Sequence, residues 1–364
     1  MTINVFIVDD SATARTALRL ILESSEDINV TGVASNPLIA LKRMNKLWPD
    51  VIISDIEMPE MNGIEFLQYL QRNRPTPFIV FSNHTGSSAV SSIDALFKGA
   101  VDIIPKPNFS CADSLDETSL NILNAVRAAA RMEMRSPVAR HLPEPAPEAG
   151  NKRQQRPEKA ARPVDDSLTL PRADYSVIAI GSSTGGTVVI EKILTALDAN
   201  SPGVVIVQHM PELFTRAFAN RINQFCRITV KEAEDGDQLT RGMALIAPGG
   251  KHMTLLGRPG SGYRVQVFDG EYVNRHKPSV DVLFNSVADV ARTDALGIIL
   301  TGMGKDGAKG LWNMKSAGAD TIAQSEEDCA VYGMPKAAKA MDAVDYDMSA
   351  DEIAFVLARL GKRQ

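Results

Sequence analysis

The chain of 364 residues is 44% hydrophobic and 23% charged, with a formal net charge of -5. That is the composition of ordinary globular domains, too long for one core and without the basic excess that nucleic-acid binding requires, so two or three domains and no nucleic-acid partner are expected. Cys111, Cys226 and Cys329 are scattered and form no CxxC pair, which indicates neither a disulfide framework nor a zinc cluster. The start, Met1 to Asp10, has no basic leader and no apolar run reaches membrane-spanning length, so neither export nor a transmembrane segment is expected, and a reducing cytoplasm fits.

In chain order, Ile3 to Val8 reads as an apolar strand ending in Asp9 and Asp10, followed by Ala14, Ala17, Leu18, Ile21 and Leu22 at helical spacing. A strand over 51–54 ends at Asp55, another over 78–81 ends at Ser82, and a fourth over 100–104 leads to Lys106. This βα alternation predicts a doubly wound parallel sheet, with functional groups beyond the carboxyl ends of its strands. Any one Asp after a strand serves equally well as a helix cap. Together, Asp9, Asp10 and Asp55 crowd three carboxylates that only a cation can neutralise, and such a hard oxygen set suits Mg²⁺. Lys106 and Ser82 stand where they can hold the oxygens of a phosphoryl group. Ser114 to Glu117 has a capping-box pattern that opens a helix carrying Ile122, Leu123, Val126 and Ala130.

Residues 1 to about 130 resemble the receiver domain of two-component response regulators. The resemblance is carried by Val8-Asp9-Asp10, Ser54-Asp55 through Pro59, Asn62-Gly63, Ser82, Gly99 through Asp102 and Lys106-Pro107. It implies a flavodoxin-like fold in which Asp55 accepts a phosphoryl group from a histidine kinase while Asp9, Asp10 and Asp55 hold Mg²⁺. Two positions depart from the pattern: Asn62 where Asp is usual, and Ile103 where a switch aromatic is common.

From Ser136 to Arg172 there are seven prolines and no aromatic residue, with a polar, charged run from Asn151 through Lys159. Such a stretch cannot bury enough apolar area to offset its ordering entropy and reads as a partly extended tether, a packed irregular loop being the other reading. The expected layout is therefore a receiver over 1–135, a linker over 136–172 and a second domain over 173–364.

That domain opens on an apolar strand with Val177, Ile178 and Ile180, the turn Gly181-Ser182-Ser183-Thr184-Gly185-Gly186, and a helix with Val188, Ile190, Ile193, Leu194 and Leu197. A Gly-x-Ser-x-Gly match centres on Ser183, lifting a hydroxyl clear of the sheet beside backbone N–H groups able to hold an oxyanion, although a glycine turn can also be purely structural or hold phosphate. The strand over 203–207 delivers His209 to the same edge, where a neutral imidazole can take a proton from the serine. A third strand, 295–300, runs into a glycine-flanked loop carrying Asp306, which can orient that imidazole. His252 and His276 are competing bases, but neither directly ends an apolar strand, so they read as substrate-loop or structural residues.

Residues 173 to about 361 resemble the catalytic domain of the bacterial chemotaxis protein-glutamate methylesterases, the CheB family. The matching motifs run in order: Ile180 through Gly186, Gln208-His209-Met210, Ala247-Pro248-Gly249, Asn274 through Leu283, Leu300 through Gly304, Asp306-Gly307 and Tyr332 through Pro335. The resemblance implies a Rossmann-like domain with Ser183 as nucleophile, His209 as base, Asp306 as its partner and a backbone amide near Met303 in the oxyanion hole, with no metal needed for ester hydrolysis. It also implies glutamate methyl esters on chemoreceptors as substrate, methanol as product and glutamine deamidation as a companion activity. Ser182 stands where alanine is common. A non-catalytic regulator with a partner-binding output domain, and a nucleotide-binding turn without the P-loop lysine, are the alternative readings.

Overall fold

A computed structural model describes residues 2–83, 86–106, 115–132, 170, 172 and 174–360. In the first unit five parallel strands lie in the order β2-β1-β3-β4-β5: β1 (Ile3–Val8), β2 (Ile28–Ala34), β3 (Val51–Ser54), β4 (Phe78–Ser82) and β5 (Asp102–Pro105). Helices α1 (Ala12–Glu23), α2 (Pro37–Met44), α3 (Gly63–Asn73), α4 (Gly86–Phe97) and α5 (Leu115–Arg131) cover both faces. The alternation of apolar residues along β1 explains why both faces need covering: Val5 and Ile7 enter one core, Phe6 and Val8 the other. Asn62 caps α3, its side chain accepting from Glu65 N while Glu65 reaches back, a reciprocal box that an Asn closes as well as an Asp. Ser114 of the expected capping box lies outside the described residues, as do His84, Pro107 and most of the expected linker.

Seven parallel strands form the second sheet, in the order β15-β14-β13-β6-β7-β10-β8. They are β6 (Val177–Ser182), β7 (Gly203–Gln208), β8 (Thr229–Glu232), β10 (Met243–Ile246), β13 (Ala295–Ile299), β14 (Asp320–Gln324) and β15 (Tyr346–Met348). On one face α6 (Gly186–Ala196), α7 (Phe214–Asn223) and α11 (Ala350–Leu360) bury Ile193, Phe218 and Leu357. On the other, α8 (Val280–Val290), α9 (Ala308–Ser316) and α10 (Met334–Ala340) bury Phe284, Leu311 and Met334. A three-stranded antiparallel sheet of β9 (Gln238–Leu239), β11 (His252–Arg258) and β12 (Gly262–Phe268) packs against α8 and was not anticipated from the sequence. Ahead of β6, Leu170 is buried and Arg172 lies 3.6 Å from Asp320. No helix among the described residues is long and apolar enough to cross a membrane.

The two units meet along α4. Phe97 stacks on Phe218 of α7 with ring centroids 6.1 Å apart, and Arg221 pairs with Asp94 at 3.3 Å. At the start of β5, Asp102 accepts a 2.8 Å hydrogen bond from the hydroxyl of Thr184, the residue directly after Ser183.

Candidate active site and receiver pocket

In both sheets the strand order reverses beside the functional edge, where loops splay apart and leave a crevice. In the receiver the reversal lies at β1 and β3. Asp9, Asp10 and Asp55 project there with one oxygen of each within 4.8 Å of the others. Lys106 Nζ approaches Asp9 Oδ2 at 2.8 Å and Asp55 Oδ2 at 2.5 Å. Burial pushes the Asp9 carboxyl up, with Lys106 opposing and Asp55 reinforcing that shift. Burial disfavours the Lys106 ammonium too, but its two carboxylate partners outweigh that effect and raise its pKa. Ser82 is buried at the end of β4, and its carbonyl accepts from Lys106 N at 2.8 Å. Asp10 alone of the acidic set is exposed.

In the second sheet the reversal lies at β6 and β13. Ser182 of β6 is in register with Gln208 of β7, and His209 N donates to Ser182 O at 3.0 Å. Ser183 and His209 are therefore the next residues on two neighbouring strands, with Ser183 half-buried at the rim. Gly185, at φ +79°, begins α6 in a left-handed conformation that a side chain resists. Gly302, just beyond β13, needs its missing Cβ for a different reason: one built there would stand 2.6 Å from Ser183 Cβ and 2.4 Å from Met334 Sδ. The turn is further tied down by Gln208 Nε2 donating to Ser183 O at 2.9 Å, and by Thr301 Oγ1 donating to Thr184 O at 3.1 Å.

Asp306 is fully buried, and five donors converge on its carboxylate. His209 Nε2 and Val280 N lie 2.9 and 2.7 Å from Oδ2. Asn274 Nδ2, Ser279 Oγ and Asp281 N lie 2.8, 2.8 and 3.3 Å from Oδ1. Two of these are the first N–H groups of α8, so a helix N-terminus faces the charge. Burial alone would raise this carboxyl, but the hydrogen bonds from His209, Asn274 and Val280 outweigh it and hold it well below the ordinary carboxylate range. A carboxylate can only accept, so His209 Nε2 carries the proton and Nδ1 is the basic nitrogen. That Nδ1 is buried and has no hydrogen-bond partner among the described residues, so no Ser183–His209 hydrogen bond is formed in this conformation. The half-buried Met303 has a backbone N–H that donates to no described residue.

Several residues that the sequence offered only as members of the matching motifs, without a role, complete the arrangement: Asn274 and Ser279, which hold Asp306; Gln208 and Thr301, which hold the Ser183 turn; and Asp102, which reaches it from the receiver. Asn274 had a legible signal, since an Asn tolerates the left-handed backbone it adopts at φ +52°. The others lie in segments whose partners are remote in sequence.

Fold and pockets together define a class, a response regulator whose receiver is joined to an enzymatic α/β output domain. A family described as CheB methylesterase matches residues 178–357, and one described as response regulator receiver domain matches residues 5–112. A Shewanella oneidensis protein named protein-glutamate methylesterase/protein-glutamine glutaminase 3 is 48% identical over 357 residues, covering 97% of this chain and 97% of its own length. A Hahella chejuensis protein named protein-glutamate methylesterase/protein-glutamine glutaminase 2 is 46% identical over 363 residues, covering 99% of this chain and 96% of its own. The crystal structure of the Thermotoga maritima CheB methylesterase catalytic domain is 37% identical, with a TM-score of 0.49, covering 51% of this chain and 98% of that one. The chain belongs to the protein-glutamate methylesterase/protein-glutamine glutaminase family.

Proposed function

We propose that this protein is a phosphorylation-controlled serine esterase that demethylates glutamate methyl esters on chemoreceptors, and deamidates glutamines there, in the cytoplasm. The observation that carries the reading is the His209–Asp306 hydrogen bond of 2.9 Å on a strand end registered beside that of Ser183. Ser183 Oγ attacks the γ-carbonyl carbon and its proton passes to His209 Nδ1. The carbonyl oxygen becomes an oxyanion at the Met303 N–H, the C–O bond to methoxide breaks, and methoxide leaves as methanol with the proton from His209. Water then repeats the sequence on the acyl-enzyme, freeing the glutamate carboxyl and Ser183. The Asp306 anion, already compensated by a helix N-terminus, keeps the proton on Nε2 and so leaves Nδ1 to take up and give back the transferred proton.

Asp55 is the phosphoacceptor, supplied by a chemotaxis histidine kinase. The all-oxygen set Asp9, Asp10 and Asp55 fits a Mg²⁺ ion. When bound, that ion neutralises the oxygens of the incoming phosphoryl group; Lys106 supplies a second positive charge and Ser82 a hydroxyl beside it. Residues 136–172 are the tether between the domains. Control is exerted by the receiver against the Ser183 edge, a reading supported by the Asp102–Thr184 bond and the packing of α4 on α7. A hundredfold activation needs a shift of only about 2.7 kcal/mol in that docking.

Methanol release from methylated receptor membranes, with and without a phosphodonor, tests the scheme. Ser183→Ala is expected to lose more than about 10³-fold in rate, and Asp55→Asn to keep the basal rate without stimulation. Deleting residues 1–135 is expected to raise the basal rate. A Ser183→Ala protein that still releases methanol refutes the nucleophile, and an Asp55→Asn protein that is still stimulated refutes the phosphoacceptor.

A further inference from the structure

Between the antiparallel sheet and α8 the chain makes a tight reversal at Val273-Asn274-Arg275-His276. Val273 N donates to His276 O at 3.2 Å and His276 N donates to Val273 O at 2.9 Å. The two middle residues have φ of +52° and +67°. Such a turn favours Asn followed by Gly, and here its second place is held by Arg275, whose Cβ opposes that conformation. A strained pair of this kind persists where the surroundings over-determine it. The reversal delivers two side chains to one place. Asn274 Nδ2 bridges Asp306 Oδ1 and Asp281 Oδ2 at 2.8 and 2.7 Å. The His276 ring lies flat on that of His209, with centroids 3.7 Å apart and planes 9° from parallel.

We propose that His276 is a positioning residue for the acid–base step, the surface that fixes the plane of the His209 imidazole in which Nδ1 is to receive the Ser183 proton. The inference rests on the assignment of His209 as the base. His209 is anchored in its own plane by a single hydrogen bond, from Nε2 to Asp306. One such bond leaves the ring able to rock about the Nε2···Oδ2 line and swing Nδ1 off its target. A parallel ring at van der Waals distance removes that freedom and keeps water off one face. His276 is the weaker candidate for the base, because the Asp306 carboxylate that fixes a tautomer hydrogen-bonds the His209 ring and not that of His276. Burial, assisted by the neighbouring His209 and opposed by Asp306, pushes its imidazole down to about 3, so it remains neutral at working pH. A neutral ring also leaves His209 free to become an imidazolium without a second cation against it, and presents a π face to that charge when it forms.

The test uses the full chain with a small-molecule phosphodonor and methylated receptor membranes. His276→Ala is expected to lower kcat about 10- to 100-fold with KM held within about twofold, the loss typical of a misaligned catalytic group. His276→Phe restores a flat surface without titratable nitrogens and is expected to recover to within about threefold of wild type. Wild-type kcat in His276→Ala overturns the inference, as does a His276→Phe protein no faster than His276→Ala, since a ring nitrogen is then required. Should His276→Ala fail to fold, His276→Phe decides alone, with recovery supporting the inference and a loss of more than about 30-fold overturning it. His209→Ala, run in parallel, separates the two levels of argument. Full activity there removes the base assignment itself, whereas an inactive His209→Ala beside a fully active His276→Ala removes only the role given to His276.

Discussion

Replacing Asp306 by Asn tests the site and its supporting structure together. The five donors divide between the two oxygens: His209 Nε2 and Val280 N on Oδ2, and Asn274, Ser279 and Asp281 N on Oδ1. An amide has only one acceptor oxygen, and its NH₂ must face one of the two sets. Facing three donors is worse than facing two, so the NH₂ turns toward His209 and Val280. Each hydrogen bond to a charged group contributes about 1.5–3 kcal/mol, so losing two costs about 3–6 kcal/mol. At roughly 2–4 °C per kcal/mol for a domain of this size, Tm falls by about 6–24 °C. His209 must then turn a lone pair toward the amide, which moves its proton to Nδ1 and lowers kcat by about 10⁴-fold. A pH series adds an independent check. The Asp306 carboxyl is held well below its ordinary range in the folded state, so its contribution is present above the unfolded value and is lost as pH falls. The Tm gap between wild type and Asp306→Asn should therefore hold down to about pH 4, the ordinary value of an unfolded Asp, and narrow as pH falls below it. Thermal melts by circular dichroism and methanol release read the two effects. A variant within tenfold of wild-type kcat and with unchanged Tm refutes the reasoning.

Asp102→Asn keeps an oxygen to accept from Thr184 but buries no charge at the domain interface. Burial raises the Asp102 carboxyl, with the Thr184 hydroxyl and the Ile103 N–H opposing, so its charged form is disfavoured in the folded protein and that penalty is relieved as pH falls. The variant should dock more tightly at neutral pH, lowering unphosphorylated methanol release by about threefold or more, and a raised basal rate would contradict this. Gly302→Ala forces a methyl group against Ser183 and Met334. It should cost about 1–3 kcal/mol in denaturant midpoint analysis and at least about tenfold in kcat, and a wild-type rate would show that the Ser183 turn yields freely.

Much of this protein was legible along the chain. The stretches Val5–Val8 and Val177–Ile180 are buried on both faces and read as unbroken apolar runs, and the polar residues that follow them announce a functional edge. The edge strand Ile28–Ala34 was missed because its burial is mixed along its length. The short strands at 229–239 and the 252–268 hairpin carry no comparably strong pattern. Asp306 was legible as a loop residue, but nothing near it announced Asn274 or Ser279, which lie 32 and 27 residues away.

The order of alternating apolar runs, the carboxylates after the first and third receiver strands, and the Ser183 and His209 strand ends were determined by sequence alone, because periodicity and turn chemistry act between near neighbours. The tertiary structure decided which buried charges are compensated and by whom. It set the start of α8 against Asp306, brought His276 face to face with His209, and carried Asp102 of one domain to Thr184 of the other. These contacts join groups brought together only by packing, and in a low-dielectric interior their strength depends on distances that no local pattern encodes.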